Sequence, residues 1–389
     1  MNLSCLLPLP PLVLASPTTK RSEPAPLIIP RGEASDLFAN EYIVKLKKGS
    51  APSSLHDAMN IFHGEPIQVF DSIFQGFTAN LDSQTLEAMR AHPDVEYIEQ
   101  NAKVEASAIV TQTNAPWGLA RISHLKPGSS SYLYDSTAGA GTCVYVVDSG
   151  VDAKHDDFEG RAEELVWKNG ASGDRCNHGT HVAGSAGGVT YGVAKRANIF
   201  GVKVLGITGL PCTGPNSDII AGLDFIPRDA ATRSCPKGVV VNMSLRGPFS
   251  QAVNDAAAAL VKEGFFVVAA AGNDATDASR WSPASEPSLC TVGATDYSDS
   301  HARFSNFGAL VDIYGPGVGV LSAKVGGGSF LQNGTSMAAP HISGIGAYYL
   351  SLGKPASMCT FLQGLAPNGV ISGVPRNTKN LLGQNGIGA

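Results

Sequence analysis

Short apolar runs alternate with longer amphipathic stretches from about Val110 to the end of the chain. The apolar runs are rich in β-branched and aromatic residues, which is typical of strands buried on both faces of a sheet. The predicted strands are 143–147, 198–205, 238–243 and 265–271, and the predicted helices between them are 180–188, 217–231 and 250–263. This order predicts an α/β fold, a doubly wound parallel sheet with helices on both faces.

Residues 41–106 follow a different pattern and predict a small α+β domain. Strand-like alternation occurs at 41–46, 76–81 and 95–99, and helical spacing occurs at 55–62 and from Ser83, where the start resembles a capping box. The order is typical of a split βαβ, ferredoxin-like domain. Ahead of it, residues 1–15 resemble a secretory signal peptide, and residues 16–40, rich in Pro, Ser and Ala, resemble a linker.

Length and charge narrow the classes of function. The 389 residues are enough for one large domain and a smaller one, and the net charge of −5 is confined to one part of the chain. Residues 1–109 carry 8 basic and 13 acidic side chains, whereas residues 110–389 carry 20 of each. A neutral main domain lacks the basic surface of a nucleic-acid or anionic-membrane protein, and no apolar run is long enough to span a bilayer. We therefore expect no nucleic-acid or membrane partner. Together with the predicted signal peptide, this leads us to expect a secreted, extracellular protein, which we take to be a monomer.

The cysteine count agrees with export. Cys5 would leave with the signal peptide, and six cysteines would remain. An even number in an exported protein predicts disulfides, with 15 possible pairings.

Ser336 lies in the segment that carries the predicted chemistry, Asn333-Gly334-Thr335-Ser336-Met337-Ala338-Ala339-Pro340-His341, which an apolar run follows. Gly334 permits a tight turn, and Ser336 then opens a helical segment whose unpaired N–H groups favour developing negative charge. Pro340 has no N–H to return to the Ser336 carbonyl, so the first turn should be loosened. An isolated serine in this position is usually a helix cap.

Two upstream segments supply the partners that a nucleophilic serine needs. Asp148 ends a predicted strand in Val-Asp-Ser-Gly, and His178 opens a predicted helix in Asn-His-Gly-Thr-His. A serine hydroxyl attacks efficiently only when a base takes its proton and a third group orients that base. Ligand crevices of parallel sheets lie beyond the carboxyl ends of the strands, which is where Asp148, Ser244 and Asn273 all fall.

With these motifs the chain resembles a subtilisin-type serine protease, and within that family the secreted proteinase K subgroup of fungal enzymes. Residues 41–106 resemble the family's inhibitory propeptide, and residues 110–389 resemble its catalytic domain. The resemblance implies a serine endopeptidase of broad specificity that is made as a self-processing zymogen. Its partners would be protein and peptide substrates, together with its own propeptide as intramolecular chaperone and inhibitor.

The resemblance also implies a role for each motif residue. Asp148 orients the imidazole, His178 is the general base and acid, and Ser336 attacks the scissile carbonyl. Asn273 donates to the oxyanion beside the Ser336 N–H, and His181 is structural.

Substrate-binding residues follow from the same resemblance, namely Ser244, Leu245, Arg246, Gly247, Ala270, Ala271, Gly272 and Trp281. The edge that begins at Ser244 should pair with an extended substrate backbone. The family usually has two glycines after the Ser-Leu pair, so Arg246 places a bulky cation beside the S1 and S3 subsites. Trp281 replaces a smaller ring near the S1 wall and predicts a shallower pocket.

One structural calcium ion and no catalytic metal are implied. Pro287 and Leu289 would supply carbonyl oxygens, and Asp312 a carboxylate. The subgroup's weaker calcium site is expected to be lost, because Leu125 and Val370 occupy its positions.

Three disulfides are implied as well. Cys143 with Cys235 and Cys290 with Cys359 match the two bridges of the subgroup, and Cys176 and Cys212 remain as a third pair.

Other functions are weighed against this interpretation. A metal hydrolase using His178 and His181 would need a third ligand, and the chain has no His-Glu-x-x-His motif. An α/β-hydrolase esterase would place its serine in Gly-x-Ser-x-Gly, and a kexin-like protease would need more residues after Ser336. The remaining alternative is a secreted, catalytically weak homologue that acts by binding, which Arg246 alone suggests.

Overall fold

The computed structural model describes residues 23–30, 36–62, 64–103, 108–165, 172–206, 212–353 and 357–388. The predicted signal peptide lies outside the described residues. The chain divides into two compact units, Met1–Glu105 and Ala106–Ala389. Within the described residues, no helix has the combination of length and apolar character that crossing a bilayer requires.

The described residues of the first unit form two helices on a mostly antiparallel sheet. Its elements are β1 (Leu27–Ile28), β2 (Leu37–Leu46), α1 (Pro52–Met59), β3 (Gln68–Phe70), β4 (Gly76–Asn80), α2 (Ser83–Arg90) and β5 (Val95–Ala102). The strand order is β1-β5-β2-β4-β3, in which the last four strands form the ferredoxin-like arrangement predicted for this region. Val44, Phe77 and Ile98 project from three adjacent strands into its core.

Two local expectations for this unit are corrected. Residues 25–28 belong to the folded unit rather than to a linker, because β1 pairs with β5 and Ala25 is buried. The cap of α2 is Asp82, whose carboxylate accepts from the Thr85 N–H at 2.8 Å, so the helix does not open on a capping box at Ser83.

The second unit is built on a parallel sheet. Its strands are β6 (Ile109–Gln112), β7 (Tyr132–Asp135), β8 (Thr142–Asp148), β9 (Ala162–Leu165), β10 (Asn198–Lys203), β11 (Gly238–Met243), β12 (Gly247–Pro248), β13 (Phe266–Ala270), β14 (Trp281–Ser282), β15 (Cys290–Thr295), β16 (Ile313–Pro316), β17 (Val320–Ala323) and β18 (Ser329–Gln332). Its helices are α3 (Trp117–Ile122), α4 (Gly179–Gly187), α5 (Asn216–Ala230), α6 (Gln251–Lys262), α7 (Thr335–Ser351) and α8 (Met358–Leu365).

Across the described residues, seven of these strands form one sheet in the order β16-β15-β13-β11-β8-β10-β9, and every pair in it is parallel. The strands of this sheet lie on both sides of β8. Strands β10 and β9 are on one side, and β11 and the strands that follow it are on the other. A crevice opens at such a switch point, beyond the carboxyl ends of the strands. Asp148 ends β8 at this edge, while Ser244 follows β11 and Asn273 lies just beyond β13.

Alternate residues of the central strands face two separate cores. Val144 and Val146 of β8 pack in the core that contains α4 and α7, whereas Tyr145 and Val147 pack in the core that contains α5 and α6. The continuous apolar run at 143–147 is explained by this arrangement, because both faces of the sheet are covered by helices. The predicted α/β architecture is confirmed.

Helix α7 lies in the middle of the larger core. All but two of its 17 residues are buried, and the exceptions are Ser336 and Leu350. The helix contacts strands β8, β11, β13, β15 and β16. Ser336 is therefore carried into the crevice by a helix that is almost completely enclosed.

Candidate active site

Ser336 is the second residue of α7, directly after the turn at Gly334. Gly334 caps the helix with a φ of 155°, a backbone conformation that side chains other than hydrogen disfavour. The Ser336 hydroxyl donates to the Ser244 carbonyl oxygen at 3.2 Å, and the Ser244 hydroxyl donates to the Ser336 carbonyl oxygen at 2.8 Å. This reciprocal pair joins the end of β11 to the first turn of α7.

Asp148 and His178 are joined by a hydrogen bond. His178 Nδ1 lies 2.8 Å from Asp148 Oδ1, and the carboxylate is fully buried while 27% of the His178 side chain is exposed. Gly179 permits this approach, because a Cβ added there would lie 2.1 Å from the Gly150 carbonyl oxygen. A carboxylate at this distance holds the ring so that Nδ1 carries the proton and Nε2 is the basic atom.

Electrostatics around His178 favour its charged form. Burial of the ring works to lower the pKa of His178, but the charge of Asp148, the hydrogen bond to it and the charge of Asp174 together raise this pKa above its ordinary value of 6.5. The site therefore stabilises the imidazolium that forms when His178 takes a proton.

Asp174 is a structural member of the site that the sequence reasoning missed. Its buried carboxylate accepts from the Ser149 hydroxyl at 2.9 Å and from the backbone N–H groups of Cys176 and Thr180 at 2.8 and 2.9 Å. It thus ties the loop after Asp148 to the start of α4. The Asp-Arg-Cys-Asn-His sequence around it offers no motif by which this role could have been recognised.

Asn273 is held in one orientation by Thr335. Both the backbone N–H and the hydroxyl of Thr335 donate to Asn273 Oδ1, each at 2.9 Å, and the same hydroxyl accepts from the Gly272 N–H at 3.0 Å. Since Oδ1 is the acceptor of both bonds, Nδ2 is the atom left to donate to a ligand. Thr335 is adjacent to Ser336 in the predicted motif, but only the fold shows that it contacts Asn273.

His178, Asn273 and Ser336 line one cleft of about 850 Å³. The predicted residues that line it are His178, Ser244, Leu245, Arg246, Gly247, Asn273 and Ser336. Cys176 and Cys212 also line it, and they form a disulfide with a Cα–Cα distance of 6.1 Å. A base, a hydroxyl nucleophile and an amide donor thus converge on one crevice, which is the arrangement needed for acyl transfer.

Four predicted substrate-binding residues are not brought to the cleft surface. Among the described residues that line the cleft, Ala270, Ala271, Gly272 and Trp281 do not occur. Ala270 and Ala271 are 2% and 0% exposed, and the side chain of Arg246 lies over Gly272 and Trp281. Contact of these four residues with substrate therefore stays a prediction, and in this arrangement Arg246 stands between two of them and the cleft.

The two histidines of the Asn-His-Gly-Thr-His motif have different surroundings. His181 is buried, donates from Nε2 to the Val320 carbonyl oxygen at 3.0 Å and packs edge-on against Phe330. Burial lowers the pKa of His181 to about 4, so its ring is neutral near pH 7. His181 is thus a packing residue, and it does not share a metal site with His178.

Comparison with known proteins agrees with this geometry. Residues 139–370 match the Subtilase family, and residues 41–107 match the Peptidase inhibitor I9 family. The chain belongs to the subtilase family. Because its relatives are serine proteases, this subtilase is a serine endopeptidase, and the esterase and pure binding-protein alternatives are set aside.

Its relatives include several fungal proteases. Proteinase R of Parengyodontium album is 50% identical over 391 aligned positions, with 99% of each chain covered. The cuticle-degrading protease of Metarhizium anisopliae is 47% identical, with 99% of this chain and 100% of the relative covered. A solved structure, described as a cold adapted subtilisin-like serine proteinase, matches with a TM-score of 0.65 and 39% identity over 70% of this chain and 99% of its own.

The described residues contain three disulfides. They are Cys143–Cys235, Cys176–Cys212 and Cys290–Cys359, which are the pairings expected from the sequence. Cys176 stands two residues before His178, so the second bridge joins the loop of the base to the rim of the cleft.

Subtilases generally bind structural calcium, but the residues implied as ligands here do not fit the ion. Lys379 Nζ lies 2.7 Å from Asp312 Oδ1, and Gln363 Nε2 donates to the same oxygen at 3.0 Å. The other oxygen, Oδ2, accepts from the Thr291 N–H at 3.1 Å. An ammonium group thus takes the place of a cation at the one carboxylate of the expected site. Pro287 is exposed and Leu289 is buried, and the predicted calcium site does not form in this arrangement.

Proposed function

We propose that this subtilase is a secreted, self-processing endopeptidase that hydrolyses peptide bonds of proteins with broad specificity through Asp148, His178 and Ser336. The observation that carries the proposal is the 2.8 Å bond between His178 and Asp148, in the same cleft as the Ser336 hydroxyl. The family supports a serine mechanism, and the local contacts support these residues as its members.

The first step is attack by Ser336 on the scissile carbonyl carbon. The Ser336 hydroxyl leaves its bond to the Ser244 carbonyl and turns toward Nε2 of His178, which takes the proton as the new C–O bond forms. Asp148 holds the ring and stabilises the imidazolium. His178 then gives the proton to the leaving amine. Water next attacks the acyl carbon and gives a proton to His178, which passes it to the Ser336 oxygen as the C–O bond breaks and the acid product leaves.

Negative charge develops on the carbonyl oxygen during attack. Asn273 Nδ2 and the Ser336 N–H at the start of α7 are the donors proposed to receive it. Because Thr335 already fixes the amide of Asn273, these donors need little reorganisation when the charge appears. Removal of the equivalent asparagine in subtilisin costs about 10²–10³ in kcat.

Self-processing is proposed because an inhibitor-type unit precedes the catalytic unit in the same chain. Residues 41–107 match the Peptidase inhibitor I9 family, and the first unit has its own core. We propose that this unit assists folding, inhibits the enzyme and is then cut off near residues 101–108. Secretion is supported by relatives such as the cuticle-degrading protease of Metarhizium anisopliae, and we retain the proposal that the mature enzyme is a monomer.

The test of the proposed function is the fate of the Ser336→Ala precursor. Expressed in a protease-deficient host, this variant is expected to accumulate uncleaved, whereas the wild type and a Ser288→Ala control mature. Ser288 is an exposed serine, so the control has the same chemical change outside the cleft. A casein digest with a serine-directed sulfonyl fluoride and with phenanthroline completes the test. Normal maturation of Ser336→Ala, or inhibition by phenanthroline alone, would overturn the serine mechanism at this residue.

A further inference from the structure

Arg246 crosses the crevice from one wall to the other. Its Cδ lies 3.2 Å from the position that a Cβ on Gly272 would occupy, so the aliphatic stem packs along the glycine. Its Nη2 pairs with Asp274 Oδ1 at 2.7 Å, and its guanidinium carbon lies 4.4 Å from the centroid of the Trp281 ring. The side chain therefore makes an ion pair and a cation–π contact beyond the wall it started from.

The partners of Arg246 are held by their own hydrogen bonds. Trp281 Nε1 donates to the Thr276 hydroxyl at 3.0 Å, and the Asp274 N–H donates to Asn306 Oδ1 at 3.0 Å. Asn306 is fully buried and also donates from Nδ2 to the Ala271 carbonyl oxygen at 2.8 Å. The far wall is thus a fixed surface, onto which Arg246 is docked.

The position of Arg246 coincides with the space that a substrate side chain needs. The reacting carbonyl must lie between the Ser336 hydroxyl and Asn273, and the substrate backbone preceding it runs along the edge that begins at Ser244. The side chain just before the scissile bond then points into the gap between this edge and residues 270–272. The stem of Arg246 enters that gap at Gly272, where its Cδ lies 3.2 Å from the position of an added Cβ.

We propose that Arg246 closes the subsite for the residue preceding the scissile bond and restricts this position to small side chains such as Ala, Gly or Ser. The inference rests on the proposed function and narrows its broad specificity at one position. A large side chain would have to expel the guanidinium from both Asp274 and Trp281. It would also leave the Asp274 carboxylate without its counter-charge, although Oδ2 of that carboxylate is already buried without a partner among the described residues.

The test compares peptides that differ only in the residue before the scissile bond, with Ala, Phe, Leu or Lys at that position. The wild type is expected to have a kcat/KM for Ala at least about tenfold above that for Phe or Leu. In Arg246→Gly this ratio should fall by at least about tenfold, because the gap opens. Arg228→Ala is the matched control, since Arg228 pairs with Asp224 on an exposed helix surface and should keep the wild-type ratio.

Further variants test whether the ion pair between Arg246 and Asp274 causes the preference for small side chains. Arg246→Gly uncovers the Asp274 carboxylate, so cleavage after Lys should rise more than cleavage after Leu. In the double variant with Asp274→Asn the gain for Lys should vanish, while the gain for Phe remains. Arg246→Ala repeats the test with a smaller change in backbone freedom.

The outcomes separate this inference from the proposed function. Each protein is first titrated with the sulfonyl fluoride, so that rates refer to reactive Ser336 only. A wild type that reacts and cleaves after Phe as fast as after Ala, or an unchanged ratio in reactive Arg246→Gly and Arg246→Ala, overturns the closed subsite and leaves the serine mechanism intact. A wild type that neither reacts nor cleaves any peptide overturns the proposed function, and the closed subsite with it.

Discussion

Thr335 donates two hydrogen bonds to the same side-chain oxygen of Asn273, one from its backbone N–H and one from its hydroxyl, each 2.9 Å long. The residue next to the nucleophile therefore sets the direction of the oxyanion donor. This contact gives Thr335 a positioning role that is separate from its place at the start of α7.

We expect Thr335→Val to lower kcat by roughly tenfold with little change in KM. The valine keeps the shape of the side chain but loses the bond to Asn273 Oδ1, and it also leaves the Gly272 N–H without its acceptor. Steady-state kinetics on one peptide gives the split between kcat and KM. Thr335→Ser retains the hydroxyl and is the matched control. Equal losses in the two variants would contradict the positioning role.

The pH dependence of kcat/KM should follow the raised pKa of His178. Activity needs the neutral ring, so its acid limb should lie above pH 6.5, and activity should fall as pH decreases through it. Asp148→Asn removes the charge that raises this pKa, so the limb should shift to lower pH, with a loss in kcat of about 10⁴. Folding stability should change with pH in the opposite direction to activity. The interaction of Asp148 with charged His178 stabilises the folded protein below pH 6.5, and this contribution is lost as pH rises through the raised pKa. An acid limb below pH 6.5 in the wild type would refute this assignment.

Chelation should leave the melting temperature of the wild type unchanged, because Lys379 already neutralises Asp312. The Lys379 side chain is 43% exposed, so its removal alone should cost less than about 1 kcal/mol. Lys379→Ala should instead gain stability from added calcium, by about 2.7 kcal/mol at a hundredfold excess over Kd. Scanning calorimetry with calcium or chelator measures both effects, with Lys324→Ala as an exposed-lysine control. A fall in the wild-type melting temperature on chelation would restore the calcium site expected from the family.

Loss of the Cys176–Cys212 bridge should lower the free energy of unfolding by roughly 3–4 kcal/mol, as expected from closing a 36-residue loop. The double variant Cys176→Ser with Cys212→Ser can be compared with its parent by urea unfolding, both carrying Ser336→Ala to prevent self-digestion. A peptide map without reductant should contain the linked pair in the parent. Two alkylatable thiols in the native parent would show that the bridge is absent.

The architecture and the main site residues could be predicted because their signals are local. A buried strand such as 143–147 needs only an apolar run, and the segments around Asp148, His178 and Ser336 are short, recognisable motifs. Side-chain pairs between distant residues carry no such signal. Lys379 stands 67 positions after Asp312 and Asp274 stands 28 after Arg246, so neither pair can be inferred from spacing. For that reason the pairing of Asp312 with Lys379 and of Arg246 with Asp274 could not be predicted.

The burial of α7 has a consequence for when activity can arise during synthesis. The helix that carries Ser336 is enclosed by strands that begin at β8 and by residues as late as Ile387, which packs against the same core. A nascent chain on the ribosome exposes Asp148 and His178 long before the surroundings of Ser336 exist. Ser336 reaches its position in the crevice only after nearly the whole chain has emerged, so an incomplete nascent chain cannot cleave nearby proteins.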